Sequence, residues 1–452
     1  MSGAAFAAEY QPGEVIVKYK PEAVRTRALM NQMYDSAGVQ KVKRFTGMMS
    51  GMERLVLADN VKVEDAIAEL EKNDAVEYVQ PNYILHAYPV SEGSENAADD
   101  ASEGTFAMAP VPCMFPGVNY PPGCAAQQSG GGQKPALKPA PADVNPPVAD
   151  PDLAQTYGMN KIAATTAWNT FKGSKSFIVA VIDTGADYNH KDLSFNMWRN
   201  PKPTDKQDVV GFDFVHNDGL PYDDNRHGTH TAGTVGAVGG NGVGVSGVAQ
   251  RVSIMALKFL SGEGSGTTAD AVRAIDYAVG HGAKVLSNSW GGKGDQGNKV
   301  LSDAIERART KDVLFVAAAG NDSGNNDDPK QADYPAALKN DNIIAVAATD
   351  SNDSLAKFSN YGAKSVHVAA PGVNIYSTIP GDRYSMLTGT SMACPHVAGA
   401  AALVWAKNPT WNYQKVKAAL MSTADMVPSL KGKTITGGRI NVLKAMNARF
   451  PR

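Results

Sequence analysis

The chain has 452 residues, enough for two or three domains, with 43% hydrophobic residues and a formal net charge of −2. There is no basic field to hold nucleic acid. No apolar run approaches the roughly 18 residues that span a membrane, so neither a nucleic-acid partner nor a membrane span is expected.

Residues 1–9 contain Ala5-Phe6-Ala7, which looks like the small-residue end of a secretory signal. They are read as a signal remnant, and the protein is expected to be secreted. Residues 10–88 read as a small α+β unit. Glu14–Tyr19 alternates as a strand, and 63–72 is an amphipathic helix with Val63, Ala66, Ile67 and Leu70 on one face. Residues 76–84 read as a closing strand interrupted by Pro81. Residues 89–149 are rich in Pro, Gly, Ala and Ser without periodicity, which predicts a mostly disordered linker. Two of the chain's three cysteines, Cys113 and Cys124, lie in it. In an exported protein they would close a small loop, the alternative being two free thiols.

Residues 150–452 carry short apolar runs at 177–182, 252–259, 284–288, 313–318, 343–348 and 366–370. Helical runs lie between several of them, most clearly at 267–280 and 299–310. Strands apolar on both faces and separated by helices predict an α/β fold: a doubly wound, mostly parallel sheet whose ligands bind at the strands' carboxyl ends.

Three motifs sit at such positions. Asp183 ends the run Val181-Ile182-Asp183-Thr184-Gly185. His227 opens a small-residue helix in His227-Gly228-Thr229-His230. With His230 it could also ligate a metal, although no third ligand sits at a suggestive spacing. Ser391 stands in Gly389-Thr390-Ser391-Met392-Ala393-Cys394-Pro395-His396, at the start of an apolar helix. There, backbone N–H groups and the helix dipole favour a developing anion. Cys394 reads as a small core residue rather than a nucleophile.

In the order Asp183, His227, Ser391, these segments resemble the signature motifs of the subtilisin-like serine proteases, from near residue 150 to Asn441. The resemblance implies a subtilisin-like fold and a serine endopeptidase. Ser391 would be the nucleophile, His227 the general base and then acid, and Asp183 its orienting partner. Ala319-Gly320-Asn321 resembles the segment that supplies an oxyanion donor from Asn321. Ser289-Trp290-Gly291 resembles the edge that pairs with substrate main chain. Asp333, before Tyr334-Pro335-Ala336, and Asp322 map to the pocket for the side chain preceding the cut bond (P1). Carboxylates there would favour Lys or Arg at P1. Asp192 and the loop Val238–Val245 resemble a structural Ca²⁺ site, with side-chain oxygens of Asp192 and Asn241 and carbonyls of Val238, Val243 and Val245. A plain Gly-rich turn is the alternative. A second site at Asp213 and Asp218 is not expected, because His216 stands where a third carboxylate belongs.

Residues 10–88 resemble the family's inhibitory propeptide through Pro12–Lys18 and Val76–Asn82. The implied partners are protein or peptide substrates and the chain's own propeptide, acting as an intramolecular inhibitor. The usual cleavage point would fall near His86-Ala87-Tyr88, but Pro89 follows and would hinder cutting. Arg226 stands where the family usually has glycine.

Overall fold

Runs such as Phe177–Ile182 present apolar side chains on both faces, so they need cover on both sides. The computed structural model describes residues 8–23, 25–92, 134–144, 147–293 and 298–450, and it places these runs in a nine-stranded sheet. In spatial order its strands are Asp425–Met426, Gly438–Arg439, Val368–Pro371, Ile343–Thr349, Leu314–Ala318, Val285–Asn288, Gly173–Asp183, Arg251–Lys258 and Gly211–Asp213. All pair in parallel except the first with its neighbour. Val179 and Val181 share one core with the helices His227–Gly236 and Thr390–Lys407. Ala180 and Ile182 share another with Thr268–Gly280 and Lys299–Thr310. This is the doubly wound α/β arrangement, and it brings Asp183 to a strand's carboxyl end.

The N-terminal unit is a separate antiparallel layer of strands Tyr10–Tyr19, Val39–Arg44, Met52–Leu57 and Val76–Ala87. Helices Arg27–Ser36 and Val63–Leu70 cover it. Val15, Val17, Leu55 and Leu70 make its core. The expected break at Pro81 is absent. The strand runs from Val76 to Ala87, and Pro81 is accommodated beside Val15, next to a register shift that lets the missing N–H go unused.

The other face of this layer sits on the α/β unit. Asn82 accepts a hydrogen bond from Ala269 N at 3.0 Å, and Gln80 accepts one from Val300 N at 3.1 Å. Those N–H groups lie in the first turns of two helices of the α/β unit, where no intrahelical acceptor exists.

The described ends of the predicted linker pack against the α/β unit, and residues 93–133 lie outside the described residues. Ser91–Glu92 pairs with Arg383–Thr388. Farther on, Tyr188 Oη donates to Pro135 O, Asn189 binds Ala136 O and Lys138 N, and Arg251 pairs with Asp143. These contacts were hidden from composition because they are made by backbone carbonyls and single charges. Cys113, Cys124 and Ala5–Ala7 lie outside the described residues.

Candidate active site

Three elements deliver the signature residues to one place. Asp183 ends its strand buried. Its Oδ1 accepts from Thr184 N at 2.7 Å and lies 2.7 Å from His227 Nδ1, and its Oδ2 accepts from Thr231 Oγ1 at 3.3 Å. His227 begins its helix, and its Nε2 has no hydrogen-bond partner among the described residues. Asp223, fully buried, accepts from the N–H groups of Asn225, Arg226 and Thr229 and from the hydroxyls of Thr184 and Thr229. It thereby fixes the turn that presents His227. Burial pushes its carboxyl above the ordinary value. Sequence reading missed Asp223, although an acid just ahead of a helix start is a capping signal.

Ser391 is the second residue of the helix Thr390–Lys407, which contains Pro395. Proline has no N–H for the carbonyl four residues back, which is that of Ser391. Ser289 Oγ supplies the missing donor at 2.9 Å, and Ser391 Oγ in turn donates to Ser289 O at 3.1 Å. The Ser391 segment is thus pinned to the edge that begins at Ser289. Asn321 Oδ1 accepts from Thr390 N at 2.9 Å and Thr390 Oγ1 at 2.7 Å, which turns its Nδ2 into the cleft.

His230 Nε2 faces the carbonyls of Ile375 and Ser385, and burial lowers the pKa of the ring to about 3. Cys394 is buried, and burial raises its thiol to about 12, as suits a core residue.

The cleft is filled by the chain's own N-terminal unit. Val76–Ala87 pairs antiparallel with Trp290–Lys293 on one side and with Ser265–Thr267 on the other. The first edge is the expected one. The Trp290 side chain, however, is fully buried and donates to Ile182 O, so only its backbone faces the cleft. The second edge was missed; its signal was the run Gly262-Glu263-Gly264-Ser265-Gly266 just ahead of a helix.

Tyr88 follows, its N donating to Ser289 O at 3.4 Å and its ring buried in a pocket. A Cβ at Gly291 would meet Tyr88 Oη at 2.1 Å, so only glycine leaves room for this ring. Burial, with Asp333 and Asp322 adding to it, raises the Tyr88 hydroxyl far above its ordinary pKa. Asp333 is buried and accepts from Asn360 Nδ2 at 2.5 Å. Lys293 Nζ stands 3.9 Å from it and 3.1 Å from Asp322. Burial raises the Asp333 carboxyl to about 7.

These strands, motifs and cleft fit one family. The description Subtilase family matches residues 174–441, and a fervidolysin N-terminal prodomain matches residues 2–82. The chain belongs to the subtilase family. It is 43% identical over 293 residues to thermitase of Thermoactinomyces vulgaris, covering 65% of this chain and 96% of thermitase. It is 35% identical over 437 residues to a thermophilic serine proteinase of Bacillus sp. (strain AK1), covering 97% of this chain and 88% of that protein. Subtilisin DY of Bacillus licheniformis shares 44% identity over 274 residues, covering 60% of this chain and 92% of that one. This subtilase is therefore a subtilisin-like serine protease carrying an N-terminal prodomain.

At the expected Ca²⁺ site, Asp192 is buried. It accepts from Asn241 Nδ2 at 2.8 Å, Val245 N at 2.9 Å and Tyr384 Oη at 3.3 Å, all neutral donors. Among the described residues nothing donates a hydrogen bond to the carbonyls of Val238, Val243 or Val245. A buried carboxylate without a cationic partner, beside free carbonyls, fits a hard cation. The loop is held by Asp150, which binds the N–H groups of Gly240, Asn241 and Gly242. At the other acidic cluster, Lys134 Nζ lies 2.6 Å from Asp213 Oδ2 and 2.9 Å from both Asp218 oxygens, while His216 Nδ1 lies 2.8 Å from Asp213. A lysine ammonium fills the position between these acids.

Proposed function

We propose that the chain is the zymogen of a secreted, calcium-stabilised serine endopeptidase. What carries the reading is the proregion strand that pairs with both cleft edges and delivers Tyr88–Pro89 beside Ser391 and Asn321. Binding through main-chain hydrogen bonds accepts many sequences, as an endopeptidase requires.

On attack, the Ser391 Oγ bonds to the scissile carbonyl carbon and its proton passes to His227 Nε2. A rotation of the serine side chain away from Ser289 O exposes it to that nitrogen. Asp183 holds the opposite tautomer and stabilises the imidazolium. The Asn321 amide and the Ser391 N–H face the oxyanion. Collapse breaks the C–N bond, with His227 returning the proton to the amine. Water then repeats the sequence on the acyl-enzyme.

Asp192, Asn241 and the carbonyls of Val238, Val243 and Val245 would hold the calcium ion, which supplies charge to cross-link the loop. The pocket around Tyr88 admits an aromatic body, and Asp333 with Asp322 would give it a preference for Lys or Arg. The signal-like Ala5-Phe6-Ala7 supports export, and finding the protein only in cell lysate, never in medium, would refute that part.

Intact-mass analysis of wild type and Ser391→Ala tests the core of the reading. Wild type shortens itself and Ser391→Ala stays whole. A wild-type chain that stays whole and takes no label from a serine-directed phosphonate refutes it.

A further inference from the structure

The chain does not stop at the scissile position. Beyond Tyr88 it continues through Pro89 and Val90, and Ser91–Glu92 adds a strand to Arg383–Thr388, with Leu387 opposite Glu92 and Thr388 opposite Ser91. The proregion therefore crosses the active site intact and is held on both sides of it. At the crossing the register is unproductive. Asn321 Nδ2, the donor expected to face the carbonyl of the bond being cut, donates to Pro89 O at 2.7 Å, one residue beyond Tyr88. Ser391 Oγ is bonded to Ser289 O. The bond after Tyr88 leads into a tertiary amide, whose nitrogen has no N–H and whose ring crowds the attacking side.

Glu92 meets Arg226. The guanidinium Nη1 lies 2.5 Å from Glu92 Oε1, and the arginine side chain is only 15% exposed. Arg226 also has φ +106° directly before His227, a region where a side chain is strained and glycine is not. A long cation kept at a strained position, aimed at the outgoing chain, calls for a role that a glycine could not fill.

We propose that Arg226 is a primed-side specificity residue that grips an acidic side chain four residues after the one seated in the pocket that Tyr88 fills. With Pro89, it makes the uncut proregion a two-sided clamp on the cleft. The first maturation cut then falls beyond Glu92, not after Tyr88. This deepens the endopeptidase reading and rests on it.

Two measurements on the full chain decide it. In a Ser391→Ala background, where no self-cutting can occur, amide exchange of residues 84–92 is expected to speed up about three- to fivefold in Glu92→Gln and in Arg226→Gly. The two changes combined give no further gain, because they remove the same pair. Equal exchange in all four chains overturns the clamp, and so do additive effects. In chains that keep Ser391, N-terminal sequencing is expected to find the first new terminus beyond Glu92 in wild type, and one at residue 89 in Pro89→Ala. Wild-type cutting between Tyr88 and Pro89 overturns the proposal. So does a Pro89→Ala chain cut elsewhere but never there. If neither chain is cut in a Ser391-dependent way, the endopeptidase reading falls instead, and the exchange comparison still decides the clamp.

Discussion

Replacing Asp333 by asparagine removes one charge from the surroundings of the Tyr88 hydroxyl while keeping the side chain's shape. The amide oxygen can still accept from Asn360, and Lys293 keeps Asp322 at 3.1 Å. Two unit charges about 4 Å apart attract by roughly 4 kcal/mol in a protein-like dielectric. A lysine at P1 would not gain all of that, since it loses hydration and Lys293 already stands 3.9 Å from the carboxylate. The net value of a hydrogen bond to a charged group is about 1.5–3 kcal/mol, and sharing with Lys293 sets the lower end. The expected loss is roughly tenfold in kcat/KM for Lys and Arg substrates, with Phe and Leu substrates changed by less than about twofold.

The pH dependence follows from burial, which raises the Asp333 carboxyl to about 7 while Tyr88 covers it. The carboxylate is charged above that value and neutral below it, so the basic preference grows as pH rises towards and through about 7. In the cleared cleft, where less burial opposes the charge, the midpoint shifts lower. The assay is kcat/KM for paired P1-Lys and P1-Phe peptides across pH 5–9. A strong Phe or Leu preference that is unchanged in Asp333→Asn, at any pH, refutes the reasoning.

Asn321→Ala is expected to lower kcat by about 10²–10³ with KM little changed, a scale set by the equivalent donor in subtilisin; steady-state kinetics on the processed enzyme checks it. Calcium at about a hundredfold over its Kd is expected to add roughly 2.7 kcal/mol of stability, and Asp192→Asn to abolish the difference between chelator and calcium in thermal melts. Lys134→Met leaves the buried Asp213 facing Asp218 without its cation, at an expected cost of about 2 kcal/mol in denaturant titrations, below the fully buried case because Lys134 is 21% exposed. Burial alone would raise the Asp213 carboxyl, but the hydrogen bonds from Lys134 and His216 outweigh it and hold the carboxyl below its ordinary value. That stabilisation is present above the ordinary carboxylate range and lost as pH falls through the lower folded value, so the gap between wild type and Lys134→Met is expected to close on acidification below about pH 4.

The features legible in the sequence are those written in short stretches of chain. A run such as Phe177–Ile182 needs cover on both faces whatever follows it, and the carboxyl end of its strand is then the only place Asp183 can stand. The helix start that presents Ser391 is likewise local, fixed by Gly389 before it and small residues after it. What escaped reading depends on a partner far along the chain. Nothing near Lys134 says that its ammonium will meet Asp213 and Asp218, and the glycine run around Ser265 marks an unusual loop without saying that the far wall of its cleft is Trp290–Lys293. Pro81 misled for a related reason: a proline breaks a strand only if its N–H is needed, and the irregular register beside Val15 removes that need.

The same distinction bears on two roles expected of the N-terminal unit as a prodomain, folding assistance and inhibition. Its side chains Asn82 and Gln80 bind helix starts of the protease domain through N–H groups that no intrahelical carbonyl can reach, so they are expected to act on folding wherever the chain is cut. Large parallel sheets form from contacts distant in sequence and are slow to assemble, and a preformed layer that fixes two helix ends at once lowers that cost. Inhibition, by contrast, is expected to depend on the few residues that cross the cleft, where the proposed clamp of Pro89 and Arg226 decides whether the chain is read as substrate. Folding assistance should therefore survive Pro89→Ala while inhibition does not. A Pro89→Ala chain that refolds from denaturant as fast as wild type, yet loses its proregion sooner, would separate the two functions; one that refolds slowly would show that the crossing segment serves both.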